Sequence, residues 1–419
     1  MSPTSPTVNR WRVLTGAVLT LLMAGALYSF SVFAGPFSDL RGWDKPDVMM
    51  AFGIASALAP IPMIVGGILL DRGYTQALII VGGLLFGGGH LLAGNATSLA
   101  LFYVAYGVLA GLGQGLMYSA ALSNTLKFFP DKRGLASGLI TAGMGAGSVV
   151  AAPLGRWMVD RMGVASTFTI LGIVFAVVVV SSGVFLIRQC PANYTPQGWT
   201  PPAASSRGAA RQLGWRQMLA TPRFWVLLPT FICGAFFGLM ITSNLAPISQ
   251  DMFGASAATA ALFVSLLGLC NMLGRLAWGW ISDRITPIVS LMCVFVVAAC
   301  ALVLLGKGSG MAVLVIGVVV LGFAFGGVMS LFPSLTMAAF GPRHQGVNYG
   351  IIFSAYAISG VFAPKWAAGI AQGNGGNFSP AFLIAAGIAA VGLVLALVYR
   401  TVDRRPPAPE PAGTGTAAS

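Results

Sequence analysis

"LCNMLGRLAWGWISDR" (Leu269–Arg284) joins two features that seldom share one apolar run. Its end, GWISDR, closes the run on an Asp-Arg pair, as a helix does when it leaves a membrane. Arg275 stands in the middle, with apolar residues on both sides. The ending has a counterpart in "GGILLDRG" (Gly66–Gly73): Gly67-xxx-Asp71-Arg72 and Gly279-xxx-Asp283-Arg284 are 212 residues apart. Ala152-Pro153 recurs as Ala363-Pro364, and Gly111-xxx-Gly115 as Gly322-xxx-Gly326, both at an offset of 211. A nearly constant offset across three features implies a duplicated unit.

The composition says what kind of unit. Of 419 residues, 57% are hydrophobic and 8% charged, against about 25% charged in a soluble domain. The 55 glycines suit helices that pack closely in lipid. About 20 apolar residues cross a bilayer as a helix. Runs of that kind fall at 13–37, 48–70, 76–94, 99–127, 134–158, 164–187, 224–248, 257–281, 287–306, 311–339, 346–370 and 378–399. The expected fold is an all-α membrane protein of twelve transmembrane helices in two pseudo-symmetric six-helix bundles, 13–187 and 224–400. A polar tail (1–12) precedes them, a second tail (401–419) follows, and 188–223 links them. The first run is too long for the core of a cleaved signal peptide and reads as a retained helix. The linker has five arginines and no acid, and it reads as cytoplasmic with a short surface helix from Arg211 to Leu219.

The net charge of +13 raises nucleic acid as a partner, but the basic residues sit mostly in short loops between apolar runs. Sixteen fall on the side of the two termini and six on the other. This bias places both termini in the cytoplasm, in a multi-pass protein of the plasma (inner) membrane, with the lipid bilayer as partner and no nucleic acid. Cys190, Cys233, Cys270, Cys293 and Cys300 form no CxxC pair and read as small core residues. His90 ends the third run and reads as structural, and His344 reads as solvated in a loop; neither has metal-ligand company. "GGLLFGGGH" reads as close helix packing. No phosphate-binding loop or catalytic triad is legible, so no cofactor and no enzymatic activity are expected.

Six plus six spans, a basic central linker and the repeated Gly-xxx-Asp-Arg turn resemble the major facilitator superfamily. The resemblance runs over residues 10–402. Tyr74 and Thr75 stand where the family's turn has a basic pair. It implies that Asp71, Arg72, Asp283 and Arg284 latch the halves together, and that spans 1, 4, 7 and 10 line a central cavity flanked by 2, 5, 8 and 11.

All ten acids fall at span ends, in loops or in the tail, so Arg275 has no acid at its own depth. It lies eight residues before Asp283, about 12 Å along the helix, close to the midplane of an apolar core about 30 Å thick. An isolated arginine there costs at least a few kcal/mol. Its partner must be backbone carbonyls, cavity water or a bound anion, and the planar fork suits a carboxylate. "NMLGRLAWGWISDR" resembles the eighth helix, and "NYGIIFSAYAISG" (Asn348–Gly360) the eleventh, of oxalate:formate antiporters and the related monocarboxylate transporters. That resemblance implies carboxylate binding at Arg275. Tyr356 stands where oxalate carriers of that family have a lysine, so one cation remains and a monocarboxylate is expected. Asn271 stands where animal-type monocarboxylate transporters have an aspartate.

Tyr118, Tyr356, Tyr28 and Ser330 are the further polar candidates, with Asn271 one turn from Arg275. Asn244 is a weaker one. Met144, Phe325 and Phe353 are candidates for the apolar wall. The expected function is secondary transport of a small monocarboxylate of the lactate, pyruvate or formate class by alternating access. Either proton symport or anion exchange would drive it, and a monomer would suffice. Oxalate:formate exchange is the alternative, with a sugar or drug carrier of the same fold behind it.

Overall fold

The computed structural model describes residues 8–191, 194–196 and 212–403, and helices are the regular elements among them. Eleven are long and apolar enough to cross a membrane. The longest, Arg133–Leu186, has 54 residues, about 80 Å at 1.5 Å per residue, more than twice an apolar core of about 30 Å. It turns back at Gly163, where φ is 79° and ψ is 162°. Only glycine adopts that backbone freely. This one helix therefore supplies spans 5 and 6, and the crossings number twelve. The others are span 1 (Arg10–Ser29), 2 (Asp47–Asp71), 3 (Thr75–Gly94), 4 (Leu99–Phe128), 7 (Pro222–Met252), 8 (Thr259–Ile285), 9 (Pro287–Lys307), 10 (Met311–Phe340), 11 (Gln345–Gly373) and 12 (Ser379–Val402).

Spans 1–6 pack on one another, as do spans 7–12, and the halves meet through 5 with 8, 2 with 11, 5 with 10 and 4 with 11. An even number of crossings puts Arg10 and Asp403 on one face, the terminus face. The halves are closed there. A Cβ on Gly67 of span 2 would collide with the Gly346 backbone of span 11, and one on Gly134 of span 5 with Gly279 of span 8. Ser137 Oγ of span 5 donates to the Ser330 carbonyl of span 10 at 2.7 Å, and Ser334 Oγ donates back to the Arg133 carbonyl at 3.2 Å.

Three spans are broken, which the apolar runs did not foretell. Span 1 tightens to a 3₁₀ turn at Ala26–Ser29 and resumes as Ser31–Arg41. Span 2 breaks between Leu58 and Pro60, because proline lacks the N–H a continuous helix needs. Span 11 breaks at Phe353, between Gln345–Ile352 and Ser354–Gly373. The first break holds Tyr28 and the last lies at Phe353. The linker helix is shorter than expected, Trp215–Leu219, and Arg211 lies outside the described residues. Leu213 N–H donates to the Phe340 carbonyl at 3.0 Å, and Asn348 Nδ2 to the Leu213 carbonyl at 2.9 Å, so this part of the linker straps the junction of spans 10 and 11. Cys190, Cys233 and Cys270 are buried as expected, whereas Cys293 and Cys300 lie exposed on span 9.

Candidate functional site

Arg275 is 9% exposed. Its Nε donates to Asn271 Oδ1 at 2.9 Å, one helical turn away, and its Nη1 donates to the Thr141 carbonyl of span 5 at 2.6 Å. No protein acceptor engages Nη2 among the described residues. The Asn271 bond fixes the amide so that its Nδ2 faces away from the guanidinium, and that nitrogen is buried without a partner. The tyrosine hydroxyls come from both halves. Those of Tyr28, Tyr118, Tyr349 and Tyr356 all lie within electrostatic reach of Arg275. The Tyr118 and Tyr349 hydroxyls, one from each half, are 3.4 Å apart. Phe353 ties the group together, its ring 4.9 Å from Tyr356, 5.6 Å from Tyr118 and 5.7 Å from Tyr349.

The group is closed on one side and open on the other. Tyr118 and Tyr349 are 6% and 1% exposed. Tyr28, nearer the face opposite the termini, keeps 39% exposure while facing Tyr356 of the other half. An aromatic side chain that is surrounded by two helical halves and still accessible lines an open space.

The expected residues sort into three groups. Arg275, Asn271, Tyr28, Tyr118, Tyr356 and Phe353 come together here. Ser330 does not join them: it is fully buried, and its hydroxyl donates to the Gly327 carbonyl of its own helix at 3.2 Å. Its place is in the seam between spans 5 and 10. Met144 packs span 5 against span 1, where a Cβ on Gly25 would collide with its carbonyl, and the Phe325 ring lies over Gly238 between spans 7 and 10. Asn244 donates to the Met240 and Pro364 carbonyls at 3.0 and 3.3 Å, a packing role. Tyr349 was missed: it lies seven residues before Tyr356, but the break at Phe353 separates the two and a helical period does not carry across it.

The latch also needs correction. Asp283 accepts from the Gly134 and Leu135 N–H groups at 2.7 and 2.8 Å. It caps the start of span 5 from the other half, where the helix dipole favours an anion. Asp71 lies 3.3 Å from His344 Nδ1 of the other half and 3.5 Å from Lys127 of its own. His344 is thus an inter-half partner and not a freely solvated loop residue. The arginines take no part. Arg72 is exposed and makes no ion pair among the described residues, and Arg284 stacks over the Trp280 ring at 3.7 Å. His90 is buried among Phe86, Tyr106, Phe168 and Phe175, with Nδ1 2.8 Å from the Phe86 carbonyl.

Comparison with known proteins agrees with this architecture. The family model described as Major Facilitator Superfamily matches residues 16–364. An oxalate:formate antiporter from Oxalobacter formigenes is 31% identical over 402 residues, covering 93% of this chain and 91% of that protein. Monocarboxylate transporter 12 of Xenopus laevis is 23% identical over 393 residues, covering 89% and 85%. Among solved structures, the transporter FucP in its outward conformation aligns with a TM-score of 0.68 at 20% identity, over 92% of this chain and 97% of that one. The human organic anion transporter MFSD10 aligns with a TM-score of 0.71 at 15% identity, over 94% and 100%. The chain belongs to the major facilitator superfamily, as a multi-pass membrane transporter with oxalate:formate antiporter and monocarboxylate transporter relatives.

Proposed function

We propose that the protein carries a small monocarboxylate by alternating access, with Arg275 as the anion anchor. The observation that supports this most is the state of Arg275: one buried guanidinium beside tyrosines from both halves, with neither an acceptor for Nη2 nor an acidic partner among the described residues. One cation matches one carboxylate, whereas a dianion would keep an unmatched charge in a poorly solvated site. Tyrosine hydroxyls can donate to the carboxylate while their rings pack against a methyl-sized body.

The bias of basic residues toward the terminus face supports placing that face in the cytoplasm. On this assignment the structure is closed to the cytoplasm and open outward. An anion arriving from outside pairs with Nη2, the pair is close to neutral, and the halves can rock around it. In the empty carrier, the Thr141 carbonyl is a weaker partner than an anion. Return of the loaded carrier is therefore favoured, as in exchange or proton-coupled symport.

Oxalate:formate exchange is the second reading, favoured by the 31% identical relative. Counterflow in proteoliposomes separates the two. Labelled lactate or formate trapped by unlabelled monocarboxylate, with weak competition by oxalate, supports the proposal. Oxalate competing as strongly as monocarboxylates supports the alternative, and competition by uncharged sugars alone would overturn both.

A further inference from the structure

The two inter-half latches repeat each other in sequence but differ in chemistry. Asp283 is held by backbone N–H groups, which carry no titratable proton near neutrality. Asp71 is held by Lys127 Nζ of span 4 and His344 Nδ1 of the other half. Lys127 belongs to the same half as Asp71, so that pair is kept whichever way the halves rock. His344 is the partner that the rocking separates. It precedes the first turn of span 11, two residues from Gly346, whose backbone abuts Gly67 of span 2. The charged residues next in sequence to these two are Arg72 beside Asp71 and Arg343 beside His344, both exposed. The side chains of His344 and Asp71 are 33% and 12% exposed, so the contact is only partly screened by water.

Histidine is the side chain whose charge ordinarily changes near physiological pH. A proton on the imidazole turns the 3.3 Å His344–Asp71 contact into a pair of opposite charges, and without it that pair is absent. The charged pair can form only where the halves meet on the terminus face, so a proton on His344 and closure of that face support each other. By linkage, a state that binds a proton more tightly gains population as pH falls. His90, the other of the chain's two histidines, is enclosed in one half and makes no such contact.

We propose that His344 is a proton-operated latch: protonated, it holds the terminus face shut across Asp71, and deprotonated, it lets that face open. The latch rests on the alternating-access reading, but not on which anion is carried.

The test is a distance measurement on the full chain in nanodiscs without substrate. Spin labels go on Thr97→Cys, between spans 3 and 4, and Ser309→Cys, between spans 9 and 10, after Cys293 and Cys300 are replaced by alanine. Both labels lie on the face opposite the termini, one in each half. Lowering the pH from about 8 to about 5.5, across the usual histidine range, is expected to favour the long distance. The ratio of long to short populations should rise about two- to fivefold, the effect an ion pair of this exposure supports. His344→Gln should lose the pH response and keep the wild-type distribution of the higher pH, which also checks that it folds. His344→Lys should favour the long distance at both values. A His344→Gln protein that responds to pH as the wild type does, or a wild type that does not respond, overturns the latch. Carboxylate counterflow with pH-independent distances would sink the latch alone, and pH-dependent distances without counterflow would sink the carboxylate reading alone.

Discussion

Arg275 in span 8 donates through Nη1 to the Thr141 carbonyl in span 5 at 2.6 Å, so the deep cation is itself a tie between the two halves. The same guanidinium is fixed on its own helix by Asn271 at 2.9 Å. Two bonds orient it and leave Nη2 for a ligand. A change at Asn271 should thus act on affinity more than on folding. Asn271→Leu removes the orienting bond and should raise the KM for the carried anion several-fold, about 1 kcal/mol. Asn271→Asp should raise it more, because a carboxylate beside Nε competes with the substrate for the charge. Initial exchange rates against anion concentration would measure both. An unchanged KM in Asn271→Asp would contradict the role given to this residue.

Tyr356 decides the charge count of the proposed site. Tyr356→Lys adds a second cation at a position whose hydroxyl already lies within reach of Arg275. Oxalate should then compete at least about tenfold better against a labelled monocarboxylate, roughly the gain from one charge-assisted bond. Competition curves for wild type and variant give the answer directly.

Gly67 and Gly346 allow spans 2 and 11 to touch backbone to backbone. Gly67→Val has no room in this closed state, and overpacking of this kind typically costs about 1–3 kcal/mol. The expected outcome is a protein that inserts and purifies normally but shifts toward the conformation open on the terminus face. Accessibility of a cysteine placed in that seam would report it, and a loss of anion exchange should accompany it.

Asp283 closes the other seam by accepting two backbone N–H groups at the start of span 5. Asp283→Ala leaves those donors without their anion, at a cost of about 1–3 kcal/mol to the closed state. Asp283→Asn, which keeps one acceptor, should lose less. Thermal unfolding in detergent, with the conformational equilibrium, ranks the two. Equal behaviour of both variants and the wild type would remove Asp283 from the latch.

The twelve spans were legible because a bilayer imposes length and apolarity on each crossing. The repeat of Gly67 and Asp71 at Gly279 and Asp283 was legible because duplication preserves spacing. The Thr141 carbonyl was not: a main-chain acceptor has no side-chain signature, and its availability follows from how span 5 meets span 8. His344 was misread for a similar reason. Its loop is short and polar, and only the approach of the halves brings it to Asp71. Arg72 and Arg284 share the motif with the two aspartates, yet in this structure the acids engage the other half and the arginines do not. Ser330 points its hydroxyl at its own helix, a bond to the main chain that its side-chain type could not announce.

The central claim is that Arg275 anchors the carried anion, and counterflow of a labelled monocarboxylate by Arg275→Gln in proteoliposomes tests it most directly. Losing a charge-assisted contact should lower exchange at least about thirtyfold, while distances between the halves still show a folded, two-bundle protein. Exchange at the wild-type rate in that variant would falsify the anchor and leave Arg275 as a strut between spans 5 and 8.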